Sequence, residues 1–329
     1  MKITRRDFIR SALVLFAYTF SYRLSSFDFE SLIRAADSLK SPTSPESDPG
    51  NFRYIYLNPK LKEAFYPFLQ NVFHLFPEKE FHKLIGEVSS QYATDREIYE
   101  KIQAALPKIK PFLSSLTYAL PALRKQKQEM ARQTRVLLDG VKSVKGYLEI
   151  GTTGRYISEL RHSLQVKGPV YLINDLAPTY APVDLMERGQ LVKYGKFIPL
   201  NDYAPFPADI PEESLDLVTN FIGFHHSPSD RLDGFVRSIA KVLKPGGRLI
   251  VRDHDVDSPE MNRIVALAHD VFDVGLDISW KLNHEQIRNF WSRAQLEAYL
   301  KERGFQAQAP QLLQEGDPTR NTLVGFVKA

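Results

Sequence analysis

From residue 146 onward, apolar residues come in short runs set between polar and helical stretches. The runs are 147–150, 170–173, 197–200, 215–221, 248–251, 305–307 and 323–327. Helical spacing fills 157–165, 232–243, 259–274 and 293–303 between them. Seven runs alternating with helices predict βαβ units and a mostly parallel sheet. Residues 51–145 read differently. Leu61, Phe65, Phe68, Leu69, Val72 and Phe73 recur at helical intervals, followed by Phe81, Leu84 and Ile85, then Ile98, Ile102 and Leu106. Pro67 predicts a break in the first of these helices, and Pro107 and Pro111 end the third. A longer helix is predicted from Pro121 to Val144, with Leu123, Met130, Thr134, Leu137, Leu138 and Val141 on one side. No repeat of fixed period is visible.

The first fifty residues lack this texture. Arg5 and Arg6 are consecutive, Phe8 follows, and a short apolar run covers 12–20. This is similar to a twin-arginine export signal, and the run is too short to span a bilayer comfortably. The alternative is an ordinary amphipathic first helix. The stretch SPTSPESDPG at 41–50 marks a linker. The expected organisation is a signal over 1–26, a linker over 27–50, a helical extension over 51–145 and an α/β domain over 146–329. Use of the signal implies an exported protein, periplasmic or associated with the inner membrane; otherwise the chain is cytoplasmic.

Composition narrows the chemistry. The 329 residues are 43% apolar and 25% charged, which excludes a disordered or multi-span membrane chain. There is no cysteine, so thiolate metal sites, iron–sulfur clusters and cysteine nucleophiles are excluded. Residues 1–145 carry a net charge of +8 and the remainder −4. The excess falls on 101–145, where Arg124, Lys125, Lys127, Arg132 and Arg135 crowd one predicted helix. Such a face meets nucleic acid, anionic lipid or an acidic substrate, or is simply solvated.

The first predicted strand ends in YLEIGTTGRY. Gly151 and Gly154 shape a turn into the next helix, and Asp175 closes the next strand 24 residues after Gly151. In a doubly wound sheet this brings the carboxylate beside the glycine turn, where it can accept both hydroxyl protons of a ribose. The turn lacks the second glycine of the dinucleotide fingerprint. Glu149 within it would repel phosphate and attract an ammonium or sulfonium group. The pattern favours a cationic cofactor with an amino-acid moiety.

On these residues the chain, from about 146 to its end, resembles a class I S-adenosylmethionine-dependent methyltransferase. The acidic-Gly-x-Gly-x-Gly motif is present as Glu149-Ile150-Gly151-Thr152-Thr153-Gly154, with Thr153 where the second glycine usually stands. The Leu-x-Pro-Gly-Gly signature is present at Leu243 to Gly247. The resemblance implies a seven-stranded Rossmann-like sheet of order 3-2-1-4-5-7-6 with strand seven antiparallel, beside the α-helical N-terminal extension. It implies S-adenosyl-L-methionine as cofactor. Glu149, Gly151, Thr152, Thr153 and Gly154 would line its amino-acid end, with Asp175 and Leu176 at the ribose. Asn201 or Asp202 would reach the adenine amino group, and Asn220 and Phe221 the methionine end.

Methyl transfer needs a base only when the acceptor carries a proton that must leave. His254, flanked by Asp253 and Asp255, is the first candidate and His225 the second. Neighbouring side chains usually point apart, so one at most of His225 and His226 is expected in the site. Asp253, Asp255 and Asp257 with a histidine could instead cap a helix or hold a divalent ion; the expectation is no metal. Asp270, Asp273 and Asp277 fall on one face of a predicted helix with His269 nearby, read as a solvated face or a pocket wall. Trp280, Phe290 and Trp291 could wall an aromatic pocket or lie in the core. The expected activity is methylation of an oxygen or nitrogen of a small molecule. The alternatives are a degenerate methyltransferase fold acting as a binding module, prompted by Thr153, and a nucleic-acid methyltransferase, prompted by the basic helix. The absence of an Asn/Asp-Pro-Pro-Tyr/Trp tetrapeptide after the fourth strand counts against base methylation.

Overall fold

The computed structural model describes residues 50–111, 115–206 and 208–329. The expected signal lies outside the described residues, as does all of the expected linker but Gly50. The N-terminal helices are α1 (Gly50–Tyr56), α2 (Pro59–Pro67), α3 (Glu78–Gln91), α4 (Asp95–Ile109) and α5 (Leu120–Leu137). Local chemistry sets their ends. Asn58 caps α2 by accepting from Lys60 and Leu61 N–H groups, and Thr94 with Glu97 forms a reciprocal capping box on α4. Pro67 ends α2, as its position predicts, and the chain continues through one π-helical turn at Phe68–Val72.

Seven strands follow: β1 (Ser143–Ile150), β2 (Gln165–Asn174), β3 (Lys196–Pro199), β4 (Leu215–Asn220), β5 (Leu243–His254), β6 (Phe305–Leu313) and β7 (Asn321–Lys328). They form one sheet of order β3-β2-β1-β4-β5-β7-β6, with β7 antiparallel to both neighbours. This is the order the resemblance implies. Between the strands lie α6 (Ile157–Leu160), α7 (Pro182–Arg188), α8 (Ser229–Val242), α9 (Pro259–Gly275), α10 (Trp280–His284) and α11 (Arg293–Lys301). Two expectations are corrected. The helix expected over 157–165 shrinks to α6, because Leu164 reaches the core from a turn. The helix expected to run to Val144 stops at Leu137, and Val144 lies in β1.

The parallel strands end level with one another. Ile150 pairs with Ile173 and with Asn220, and Asn220 pairs with Val251. β5 then overruns this edge by three residues, because β7 continues to pair with it: Asp253 opposite Thr322 and His254 opposite Asn321. Near its start, Leu243 pairs with Leu215 and Arg248 with Leu217, so the Lys-Pro-Gly-Gly residues bulge out between.

The sheet packs two apolar cores, one on Phe235, Val236 and Ile239 of α8 and one on Met130, Leu137 and Leu160 of α5 and α6. A third core joins the N-terminal helices to α9. Phe52, Phe65, Phe73, Phe81 and Tyr99 pack there with Ile264, Val265, Ala268 and Val271. Phe73 meets Phe272 edge-on at 5.5 Å. Each such side chain contributes roughly 1.5–3 kcal/mol by leaving water, so α9 is anchored by the N-terminal helices. Among the described residues no helix is long and apolar enough to cross a membrane.

Candidate active site

The glycine turn and the β2 tip come together. Gly151 donates its N–H to Ile173 at 2.7 Å, two residues before Asp175. Asp175 and Leu176 are exposed at this edge. Gly151 has φ +86°, and a Cβ there would lie 2.4 Å from Ile222. The room its missing side chain leaves is filled by Ile222, and not left for a ligand.

Glu149 has a different task from the one its charge suggests. It is fully buried and accepts from the Tyr147 hydroxyl at 3.0 Å, Tyr156 N–H at 3.1 Å, Ile157 N–H at 2.8 Å and the Thr152 hydroxyl. Four donors consume its lone pairs, so it ties the turn to the start of α6. Thr152 in turn accepts from Gly154 and Arg155 N–H groups. Thr153 is buried, and its hydroxyl has no hydrogen-bond partner.

Between the turn and the loop after β2 lies a buried cationic group that the sequence did not flag. Arg188, at the end of α7, is fully buried; its Nη2 donates to the Thr179 carbonyl at 2.8 Å, while Nε and Nη1 have no hydrogen-bond partner. Beside it Arg155 pairs with Glu187 at 2.7 Å, and Lys127 donates to the carbonyls of Glu187 and Arg188. Burial, with Arg155 close by, lowers the Lys127 ammonium to about 8. The expected basic face is thereby partly spent: Lys127 is buried here, Arg132 pairs with Glu129 and Arg135 donates to the Val141 carbonyl.

Beyond β3, Asn201, Asp202 and Tyr203 form a left-handed turn with φ of 45°, 58° and 59°. Asp202 pairs with Arg231 at 2.9 Å. Asn220, at the end of β4, donates from Nδ2 to the Gly223 carbonyl, and its Oδ1 is buried with no hydrogen-bond partner. Phe221 meets Tyr156 edge-on at 4.6 Å. Unsatisfied buried groups are rare in native proteins. Arg188 leaves two donor nitrogens and Asn220 one acceptor oxygen unsatisfied.

The overrun of β5 builds the second half of the site. Asp253 Oδ1 lies 2.5 Å from His225 Nδ1, and its Oδ2 accepts from Phe224 N–H at 2.8 Å. Both residues are buried. The carboxylate can only accept, so Nδ1 carries a proton; in the neutral imidazole the lone pair is then on Nε2, an atom that is buried with no hydrogen-bond partner. Gly223 makes this approach possible: with φ +80°, a Cβ there would fall 2.6 Å from His225 Nδ1. His254 donates from Nδ1 to the Thr319 carbonyl at 3.0 Å. The rings of His225 and His226 are 4.0 Å apart, and both lie within 5.5 Å of His269 on α9. Both rings touch His269, but His226 Nδ1 is turned to the Ile287 carbonyl at 3.1 Å, and of the pair only His225 lines the adjoining pocket. A pocket of about 120 Å³ opens here, lined by His225, His254, His269, Tyr156, Phe221 and Arg252 among others.

Burial, with His225 beside it, lowers His254 to about 3; burial also holds His226 and His269 well below the usual imidazole range. Burial alone would raise Asp253, but His225 and its other hydrogen bonds outweigh that and hold it low.

The remaining candidates lie elsewhere. Asp255 accepts from Arg293 N–H and Asp257 pairs with Arg320, so the carboxylates after β5 do not converge on an ion. Ser258, and not the acidic run, caps α9. Asp270 and Asp273 are buried against Arg288 at 2.7 and 3.6 Å, which replaces the expected solvated face. Phe290 packs on His225 and His269, whereas Trp280 packs on Tyr99 and Trp291 on Tyr299.

The sheet order and the ligand edge define a Rossmann-like methyltransferase fold. A family model described as a methyltransferase domain matches residues 122–309, more than half of the chain, and the protein belongs to that family. No curated protein matches its sequence. Among solved structures, it is similar to the CurJ carbon methyltransferase, at 14% identity and TM-score 0.47 over 97% of this chain and 89% of that one. It is similar to 1,6-didemethyltoxoflavin-N1-methyltransferase of Burkholderia thailandensis, at 13% identity and TM-score 0.40 over 63% and 79%. A possible exported protein of Bordetella parapertussis is similar at 16% identity and TM-score 0.41 over 87% and 99%.

Proposed function

We propose that the protein transfers a methyl group from S-adenosyl-L-methionine to an oxygen or nitrogen of a small molecule. The observation that carries this is the buried His225–Asp253 pair at the carboxyl edge of the sheet, with the His225 Nε2 lone pair facing a pocket near the glycine turn. When bound, the cofactor supplies an electrophilic methyl on a sulfonium. Arg188 and Asn220 would hold its amino-acid end, Asp175 its ribose hydroxyls, and Asn201 or Asp202 its adenine. Glu149 and Thr152 keep the turn in place. His225 takes the acceptor's proton at Nε2, and Asp253 keeps the imidazole in the tautomer that can do so. His254 serves beside it as a neutral neighbour. A pocket of about 120 Å³ suits a small acceptor, and Arg252 at its wall suits an acceptor with anionic character.

Calorimetry with S-adenosylhomocysteine tests the reading directly. Saturable heat with the folded chain is expected; none at high concentration removes the enzyme assignment. That outcome leaves a binding module as the second reading, which Thr153 in place of the second glycine prompts. The twin-arginine-like start further suggests that the protein is exported folded. Fractionation of the full chain against an Arg5→Lys, Arg6→Lys variant tests this: loss of export in the variant is expected, and equal distribution of the two removes it.

A further inference from the structure

Four of the eight histidines of the chain form one cluster of ring contacts, beside a pocket that His225, His254 and His269 line. Three of them, His225, His254 and His269, have ligand atoms within 4.8 Å of one another. Their ring centroids form a nearly equilateral triangle of 5.3, 5.3 and 5.4 Å. The rings come from three different supports: the turn after β4, the overrunning end of β5 and the middle of α9. The outer nitrogens are also arranged. His225 Nδ1 is bonded to the Asp253 carboxylate and His254 Nδ1 to the Thr319 carbonyl. This is the support that metal-binding imidazoles ordinarily have: the far N–H is anchored, and the near nitrogen is left with its lone pair. The near nitrogen of His225 is buried and has no hydrogen-bond partner.

The geometry points to a binding site for one divalent transition ion of the zinc class, held by His225, His254 and His269. Three neutral imidazoles with no thiolate suit zinc, copper, iron or nickel over calcium or magnesium, which prefer oxygen. In a tetrahedral site with metal–nitrogen bonds of about 2.0–2.1 Å, the nitrogens stand about 3.3 Å apart. The ligand atoms, within 4.8 Å of one another, close inward by up to about 1.5 Å to reach this geometry. Three protein ligands leave the fourth position facing the pocket, open to water or to an acceptor oxygen. The same nitrogen of His225 cannot hold an ion and take a proton together. Metal binding and the base role proposed above are mutually exclusive states of this side chain.

The inference is independent of methyl transfer, and so is its test. The full chain, cleared of metal by chelation, is titrated with zinc chloride by calorimetry and with cobalt(II) by visible absorption. One zinc per chain and the absorption of a four-coordinate, nitrogen-bound cobalt are expected. His269→Ala should weaken binding at least 100-fold. Asp253→Asn, which removes the carboxylate anchoring His225 Nδ1 and leaves all three ligand imidazoles in place, should weaken it roughly 10- to 100-fold. X-ray absorption of the zinc-loaded wild type needs no variant to fold, and should show imidazole scattering at about 2.0–2.1 Å. No saturable binding, binding unchanged in a folded His269→Ala variant, or an oxygen-only shell each overturns the site.

Discussion

His225 Nδ1 and Asp253 Oδ1 lie 2.5 Å apart in a buried contact between the turn after β4 and the overrunning end of β5. Asp253 reaches the imidazole only because β5 runs past the level at which β4 ends. The contact has a stability consequence. Asp253 accepts from His225, His254 N–H and Phe224 N–H. In Asp253→Asn, one face of the amide must turn an N–H toward another N–H donor. A cost of about 1.5–3 kcal/mol is expected, read as a lower urea midpoint with an unchanged slope.

Gly223 can be tested separately. A Cβ there meets His225 Nδ1 at 2.6 Å and Asp253 Cγ at 3.0 Å, on a left-handed backbone. Gly223→Ala should separate the pair and cost about 1–3 kcal/mol through strain and overlap. Ring-nitrogen chemical shifts of His225 should then report a mixture of tautomers in place of one. A single unchanged tautomer would contradict this account of the turn.

Asp175 lies at the exposed tip of β2, so Asp175→Ala should leave thermal stability within about 0.5 kcal/mol of wild type. Under the proposed function it should also weaken S-adenosylhomocysteine at least tenfold, the loss expected for charge-assisted hydrogen bonds. Unchanged affinity would place the ribose elsewhere.

Burial raises the Asp273 carboxyl to about 7, against the opposing pull of Arg288; Asp270, Gln286 and Tyr99 also face it. The folded chain therefore keeps a proton that an unfolded aspartate releases near pH 4. This contribution is fully present below about pH 4 and is lost as pH rises through about 7. Asp273→Asn mimics the protonated form. It should remove the fall in stability over this window, with a difference on the order of a few kcal/mol at pH 8 and little difference at pH 4. Urea unfolding across pH reads both.

The seven strands were legible because each buried run is short, apolar and bounded by turn residues, and because the Lys-Pro-Gly-Gly bulge announces β5. The glycine turn and Asp175 were legible for the same reason: the order of the parallel strands places them side by side. What the ligand edge does with them was less visible. Glu149 reads as a charge for a ligand until its four donors are counted, and two of those donors arrive from a helix start seven and eight residues on. His269 stands 15 residues after His254 and 29 more after His225, a spacing that matches no local motif. Only the packing of α9 across the pocket brings it in. Arg188 and Arg288 were hidden because an arginine in a polar stretch gives no sign that it will be buried.

The helix that carries His269 packs its apolar side into the core of the N-terminal helices, and its last residue, Gly275, leaves no space for a Cβ beside Phe73. The position of one imidazole in the pocket is thus set in part by phenylalanines of the N-terminal core, one of which, Phe68, lines the same pocket. Changes among the N-terminal aromatics should be felt as altered ligand geometry before they are felt as unfolding, and the amino-terminal helices act as the back wall against which that chemistry is set.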